Sequence, residues 1–238
     1  MSVMQASART DVGLVRSMNE DDYLVGDGIF AVADGLGGHE AGEIASQMAI
    51  RILKEFKPPE DGDPGVALAQ ALEGINRAIY RRSVDDPSCE GMGTTLTVLL
   101  IAGDRAYIGH VGDSRAYLVR ENKIYRLTED HSIVGELIRM GMLSEPEAKA
   151  HPQRNLLTRA IGTQPDVEIE VGYCKLAGHD RFLLCTDGLS GAVDDGEILK
   201  VMISASDPKS AVDRLVELAM RGGGHDNITA VAVFLDLP

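Results

Sequence analysis

Apolar residues in this chain change their spacing repeatedly, and each change marks a change of element. Short apolar runs come first, predicting strands over Ala6 to Gly13, Asp22 to Val25 and Ile29 to Val32. From about Glu40 the spacing becomes helical: Ala41, Ile44, Ala45, Met48, Ile52, Leu53 and Phe56 share one face. The turn Pro58 to Pro64 separates that helix from a second, marked by Leu68, Leu72, Ile75 and Ile79 and closing near Arg82. After Gly93 the runs are short again, with turns at 102–104, 112–113 and 120–122. They predict an antiparallel meander of Thr94 to Ile101, Arg105 to His110, Ser114 to Val119 and Lys123 to Leu127. Thr128 to Ser132 caps a short helix that Gly141 stops, with His131 as part of the capped end. The stretch from Ser144 to Gly162 reads as a helix-containing excursion from the sheet. Strands follow at Val167 to Tyr173 and Arg181 to Cys185, helices at Asp195 to Ser204 and Pro208 to Arg221, and a last strand at Ile228 to Phe234.

Composition narrows the class. A chain of 238 residues with 44% hydrophobic content can bury one sizeable core, so a single domain over 1–238 is expected. A formal net charge of −14 argues against nucleic-acid and anionic-membrane surfaces, both of which need clustered Lys and Arg. No apolar stretch is long enough to span a bilayer, and the first residues lack the apolar centre of a signal peptide, so a cytoplasmic location is expected. Three widely spaced cysteines, Cys89, Cys174 and Cys185, suggest core thiols rather than disulfides or a zinc site.

The candidate chemistry lies in carboxylates at element ends. Asp34 closes an apolar strand and is followed by Gly35, Gly37 and Gly38, which permit close backbone approach and positive φ. Asp187-Gly188 repeats the arrangement after Arg181 to Cys185, and Asp226 follows the glycines 222–224. One such Asp-Gly is ordinarily a turn. Three of them look like oxygen ligands for a hard divalent cation, and an acidic protein that handles an anion needs metals. Arg16, beside Glu20, Asp21 and Asp22, is either a solvated loop residue or a planar fork for a phosphoryl group, with Glu20 and Asp21 accepting hydrogen bonds from metal-bound water. Taken locally, Asp113 is a hairpin residue.

In order along the chain, the segments 16–21, 33–39, 93–95, 109–115, 127–132, 158–162, 186–188 and 226–227 together resemble the metal-dependent serine/threonine protein phosphatase family, type 2C, in its compact bacterial form. The resemblance covers about Ala6 to Leu235. It implies an α+β fold, a four-layer α/β/β/α sandwich of two packed, mostly antiparallel sheets flanked by helix pairs. It also implies that Asp34 bridges two Mn²⁺ or Mg²⁺ ions, that Asp187 and Asp226 complete the first ion's ligands and that the Gly35 carbonyl binds the second. By the same resemblance Glu20 acts through water, Arg16 grips the phosphate and Asp113 holds a third ion near a flap at about 144–162. The implied reaction is in-line attack of a bridging hydroxide on phosphoserine or phosphothreonine, without a covalent phosphoenzyme. Implied partners are phosphorylated proteins, including a serine/threonine kinase, and a monomer is expected. Eukaryotic relatives often carry a His after the Asp-Gly as general acid; here Leu36 stands there, and His39 is assigned a structural or capping role. Leu36 also removes the second Asp that a haloacid-dehalogenase-type nucleophile motif needs. A catalytically silent metal-binding adaptor is the remaining rival.

Overall fold

The computed structural model describes residues 3–37 and 41–236. Its elements in chain order begin with β1 (Val3–Asp11), β2 (Asp21–Val25), β3 (Ile29–Leu36), α1 (Ala41–Lys54) and α2 (Pro64–Asp85). The strands β4 (Gly93–Thr94), β5 (Leu96–Ala102), β6 (Arg105–Val111), β7 (Arg115–Arg120) and β8 (Lys123–Arg126) follow. Then come α3 (Ile133–Arg139), α4 (Glu145–Lys149), β9 (Glu170–Lys175), β10 (Arg181–Cys185), α5 (Asp187–Ser190), α6 (Asp195–Ser204), α7 (Pro208–Arg221) and β11 (Ile228–Asp236). His39 and Gly38 lie outside the described residues.

Two antiparallel sheets form the centre. One runs β1-β11-β10-β7-β8 and the other β2-β3-β5-β6-β9, with β4 paired to β3. Strand alternation explains the layering. In β3, Phe30 and Val32 point into the seam between the sheets with Leu99, Phe182, Leu184 and Val231. Their neighbours Ala31 and Ala33 face α1 and α2. Both faces are buried, so β3 reads as a continuous apolar run rather than an alternating one. The mirror arrangement packs Leu183 and Ala232 against α6 and α7. The result is the four-layer α/β/β/α sandwich.

Three expectations change. The predicted meander is broken: β5 and β6 form a hairpin in one sheet, whereas β7 and β8 pair in the other. Gly112 to Ser114 therefore crosses between sheets, and Asp113 is not a hairpin residue. The strand predicted at Val167 to Tyr173 starts later, at Glu170, because Val167 and Ile169 pack against the helix-side core. In α1 the expected face widens: Ala41, Ala45 and Leu53 are buried as expected and Ile44, Met48, Ile52 and Phe56 pack partly buried against the core, but Ala49 and Ile50 are buried as well. Small residues let this helix lie close to β3, which the larger apolar residues would prevent.

Candidate metal centre

The loops at one end of the sandwich converge on a cleft of about 190 Å³, lined by Arg16, Glu20, Asp34, Gly35, Asp113, Asp187 and Asp226, with Leu36, Gly37, Asn155, Leu157 and Asn227. A larger hollow of about 680 Å³ over β2, α1 and α2 is mainly apolar and contains a single carboxylate, Asp22. The polar cleft is the candidate site, because there five carboxylates and an arginine from distant parts of the chain meet.

Each carboxylate is aimed by a pinned backbone. The Asp34 N–H donates to Thr95 Oγ1 at 2.9 Å, and its carbonyl accepts from Thr95 N at 2.8 Å and Thr94 Oγ1 at 2.9 Å. That leaves only its side chain for the cleft. Gly35 continues β3 in extended conformation; a Cβ there would lie 2.2 Å from the Gly42 carbonyl oxygen and 2.6 Å from that of Glu20. The position needs glycine for close packing, not for a positive φ. Asp187 opens the single-turn helix α5, which sequence reasoning missed, and a Cβ on Gly188 would lie 2.0 Å from the Asn227 carbonyl oxygen.

Asn227 is the staple. Its Oδ1 accepts from Glu20 N at 2.8 Å, while its Nδ2 donates to the carbonyls of Val12 at 3.0 Å and Met18 at 2.9 Å. One amide thus holds both ends of the loop that carries Arg16. The Arg16 Nη2 donates to Asp226 Oδ2 at 2.8 Å, and this contact raises the Arg16 pKa. Asp113 is held less directly. The N–H of its neighbour Gly112 donates to His131 Nδ1 at 3.1 Å, and His131 N donates to the Gly112 carbonyl at 2.7 Å. Arg115 clamps Asp130 through two hydrogen bonds of 2.9 and 2.6 Å. Ser132, not His131, caps α3.

The charge balance is unfavourable for the protein alone. Burial, then Asp21 and Asp187, pushes Asp34 well above the usual carboxylate range; burial, then Asp187, does the same to Asp113. Asp187 is pushed up to about 6 by burial and by Asp226. Burial lifts Asp21 to about 7, although its Oδ2 accepts from Thr186 Oγ1 at 2.9 Å and Thr229 Oγ1 at 2.6 Å. Glu20 is raised too, chiefly by burial. Among the described residues, Glu20 Oε1, Asp21 Oδ1 and Asp187 Oδ1 are buried with no hydrogen-bond partner. Unpaired buried acceptors beside clustered carboxylates fit a hydrated divalent cation, which neutralises the charge and supplies water donors. Among the described residues no three His, Cys, Asp or Glu side chains close on one point by themselves. The donor set suits Mn²⁺ or Mg²⁺ held by one or two carboxylates, a carbonyl and retained water.

Residues 15–219 match the family model described as protein phosphatase 2C. The chain belongs to the protein phosphatase 2C family. Among its relatives, the serine/threonine protein phosphatase PstP of Mycobacterium tuberculosis is 44% identical over 230 residues, 96% of this chain and 44% of that protein. The chain thus spans less than half the length of this relative. The serine/threonine phosphatase stp of Listeria monocytogenes is 36% identical over 98% of this chain and 97% of its own length. Among solved structures, the catalytic domain of PstP in complex with two manganese ions superposes with a TM-score of 0.91, at 39% identity and complete coverage of both chains. The M. tuberculosis PstP/Ppp structure gives 0.92 at 41% identity, covering 98% and 99% of the two chains. The two-sheet, α+β sandwich described above is the fold of this protein phosphatase 2C family.

All seven residues expected at the site line this one cleft. Sequence reasoning assigned no role to Asn227, Thr95, Thr186 or Thr229. Asn227 adjoins Asp226 and Thr186 adjoins Asp187, so adjacency to a candidate ligand was the available signal. Thr95 and Thr229 are recognisable only through pairing across strands. Among the described residues no helix is long and apolar enough to cross a membrane.

Proposed function

We propose that this chain is a metal-dependent protein serine/threonine phosphatase and that residues 1–238 form one catalytic domain. The observation that carries the reading is the convergence of Asp34, Asp113, Asp187 and Asp226 with Arg16 on one cleft, with buried oxygens left unpartnered. Asp34, Asp187 and Asp226, the Gly35 carbonyl and Glu20 through water would hold two Mn²⁺ or Mg²⁺ ions, with Asp113 near a third. Bound ions of this kind supply charge neutralisation and a nucleophile drawn from water at neutral pH.

The chain's own residues position the substrate. Arg16 uses one N–H on Asp226, and the rest of its fork remains for phosphate oxygens. Asp226 fixes that fork and Asn227 fixes the loop beneath it, so the phosphoryl group meets a preset donor. Among the described residues lining the cleft there is no histidine, and Leu36 offers no proton; the leaving oxygen takes its proton from water. Glu20, which lines the cleft, and Asp21, buried beside it, each keep an unpartnered oxygen that orders that water. The bacterial relatives are named serine/threonine phosphatases, which supports a role in opposing a protein serine/threonine kinase.

The test is hydrolysis of a phosphothreonine peptide and of an aryl phosphate with Mn²⁺, with Mg²⁺ and with chelator. Turnover of both that chelator abolishes is expected. Tight metal binding with no turnover of either would leave a metal-binding adaptor and refute the enzyme.

A further inference from the structure

The loop that carries Arg16 has an unusual tip. Leu14 and Val15 are 66% and 64% exposed, adjacent to each other and immediately before Arg16. Isolated exposed apolar side chains are common and need no explanation. This pair differs because its backbone is fixed. Leu14 N donates to the Gly224 carbonyl at 2.7 Å, two residues before Asp226, and Asn227 secures the loop on both sides through Val12 and Met18. Two aliphatic side chains are thereby held out to solvent next to Arg16, which lines the cleft.

A second segment that lines the cleft repeats the character. Leu157 lines the cleft, and Leu156 beside it is 49% exposed. This segment is pinned as well: the Leu156 carbonyl accepts from Ile133 N at 2.9 Å, and Leu157 bridges Ser132. Leu36 and Leu157 add aliphatic surface to the cleft lining itself, whose charged side chains other than Arg16 are the acids Glu20, Asp34, Asp113, Asp187 and Asp226. A substrate segment meets carboxylates if it brings its own acids, and aliphatic surface if it brings apolar side chains.

We propose that Leu14, Val15 and Leu156 form an apolar lip that binds an aliphatic residue flanking the phosphorylated serine or threonine. The occupant is an extended phosphopeptide with an apolar neighbour to its phosphoresidue, disfavouring acidic neighbours. This rests on the phosphatase reading and adds the substrate class to it. The lip acts on binding of the flanking residue; the phosphoryl group itself is handled deeper, by Arg16.

The experiment compares three phosphothreonine heptapeptides, identical except for Leu, Ser or Glu on both sides of the phosphoresidue, with p-nitrophenyl phosphate as a substrate that has no flanks. Wild type is expected to favour Leu over Ser by about tenfold in kcat/KM, the scale for covering most of one aliphatic side chain, with Glu poorer still. In the L14S/V15S double variant the Leu preference falls to about twofold or less, mainly through KM, while p-nitrophenyl phosphate turnover stays within about twofold of wild type. L156S, on a separate segment, should move the preference the same way and serves if the double variant does not fold. Equal kcat/KM for Leu and Ser peptides in wild type, or a preference untouched by the variants, overturns the lip and leaves the phosphatase reading intact. A parallel loss of p-nitrophenyl phosphate turnover also overturns it, since the loop would then serve only to hold Arg16. Sedimentation showing a dimer that L14S/V15S dissociates would reassign the surface to self-association. Absence of metal-dependent turnover on all four substrates, including the unflanked one, rejects both readings together.

Discussion

Replacing Asp187 by Asn should stabilise the metal-free protein, and the size of the gain follows from its surroundings. In the folded chain its pKa stands at about 6, against the ordinary value of 3.8, because it is buried beside Asp226 and close to Asp34. Each pKa unit is worth about 1.4 kcal/mol, so the ionised carboxylate costs the native state up to about 3 kcal/mol at pH 7.5. The sign follows from linkage: between pH 4 and 6 the folded state binds more protons than the unfolded one, so stability falls as pH rises through this window. Asn carries no charge and removes that fall. In chelator at pH 7.5, Asp187→Asn should therefore melt above wild type by several degrees, given roughly 2–4 °C per kcal/mol for a domain of this size. The difference should shrink steadily as the pH falls from 7 to 4, because Asp187 is protonated in the folded state at pH 4 while the unfolded state, at its ordinary value of 3.8, is still about half ionised. Thermal melts across pH 4 to 8 in chelator measure both effects. A variant less stable than wild type at pH 7.5, or a difference independent of pH, would refute the claim that this side chain shares a crowded anionic cleft.

Three further outcomes are expected. Arg16→Ala should lower kcat as well as kcat/KM in steady-state assays, because the fork holds oxygens whose charge changes during transfer; a pure KM effect would make it a docking residue. Asn227→Ala removes three hydrogen bonds to the Arg16 loop and leaves buried partners unpaired, costing about 2–4 kcal/mol in denaturant unfolding, and an unaltered midpoint would contradict its role as staple. Millimolar Mn²⁺ should stabilise the fold at pH 7.5 by about 2.7 kcal/mol per site held at a hundredfold excess over Kd, read as a rise in Tm. The same Mn²⁺ should raise it less at pH 5.5, where protons compete for Asp187; equal shifts at both values would exclude these carboxylates as ligands.

The layers were legible in the sequence where one element carried one signal. The apolar run ending in Asp34 identifies a strand buried on both faces, and Leu68, Leu72, Ile75 and Ile79 mark a helix face that is fully buried in the fold. What was not legible depended on partners far away in the chain. Nothing local in Gly112-Asp113-Ser114 distinguishes a hairpin from a passage between sheets, since both need a tight turn. In α1 the expected face was right but too narrow: Ala49 and Ile50 also join the core, because close approach to β3 buries more of the helix than its strongest apolar residues mark. At the site, acidic residues in glycine loops could be found by type and spacing. Asn227 could not, because an Asn that ties together residues 12, 18 and 20 has no spacing of its own.

The passage of the chain from one sheet to the other at Gly112 to Ser114 has a mechanical consequence. Asp34 belongs to the β3 sheet, whereas Asp187 and Asp226 flank β10 and β11 of the other sheet. Any ion shared between Asp34 and Asp187 is therefore a rivet through both plates of the sandwich, and its fit depends on how one plate is registered over the other. Shear between them would open the ligand set without disturbing any single loop. Truncating a side chain in the seam, such as Phe182→Ala, should then weaken metal affinity from a position outside the cleft lining, and metal should in turn suppress amide exchange along β3 and β10.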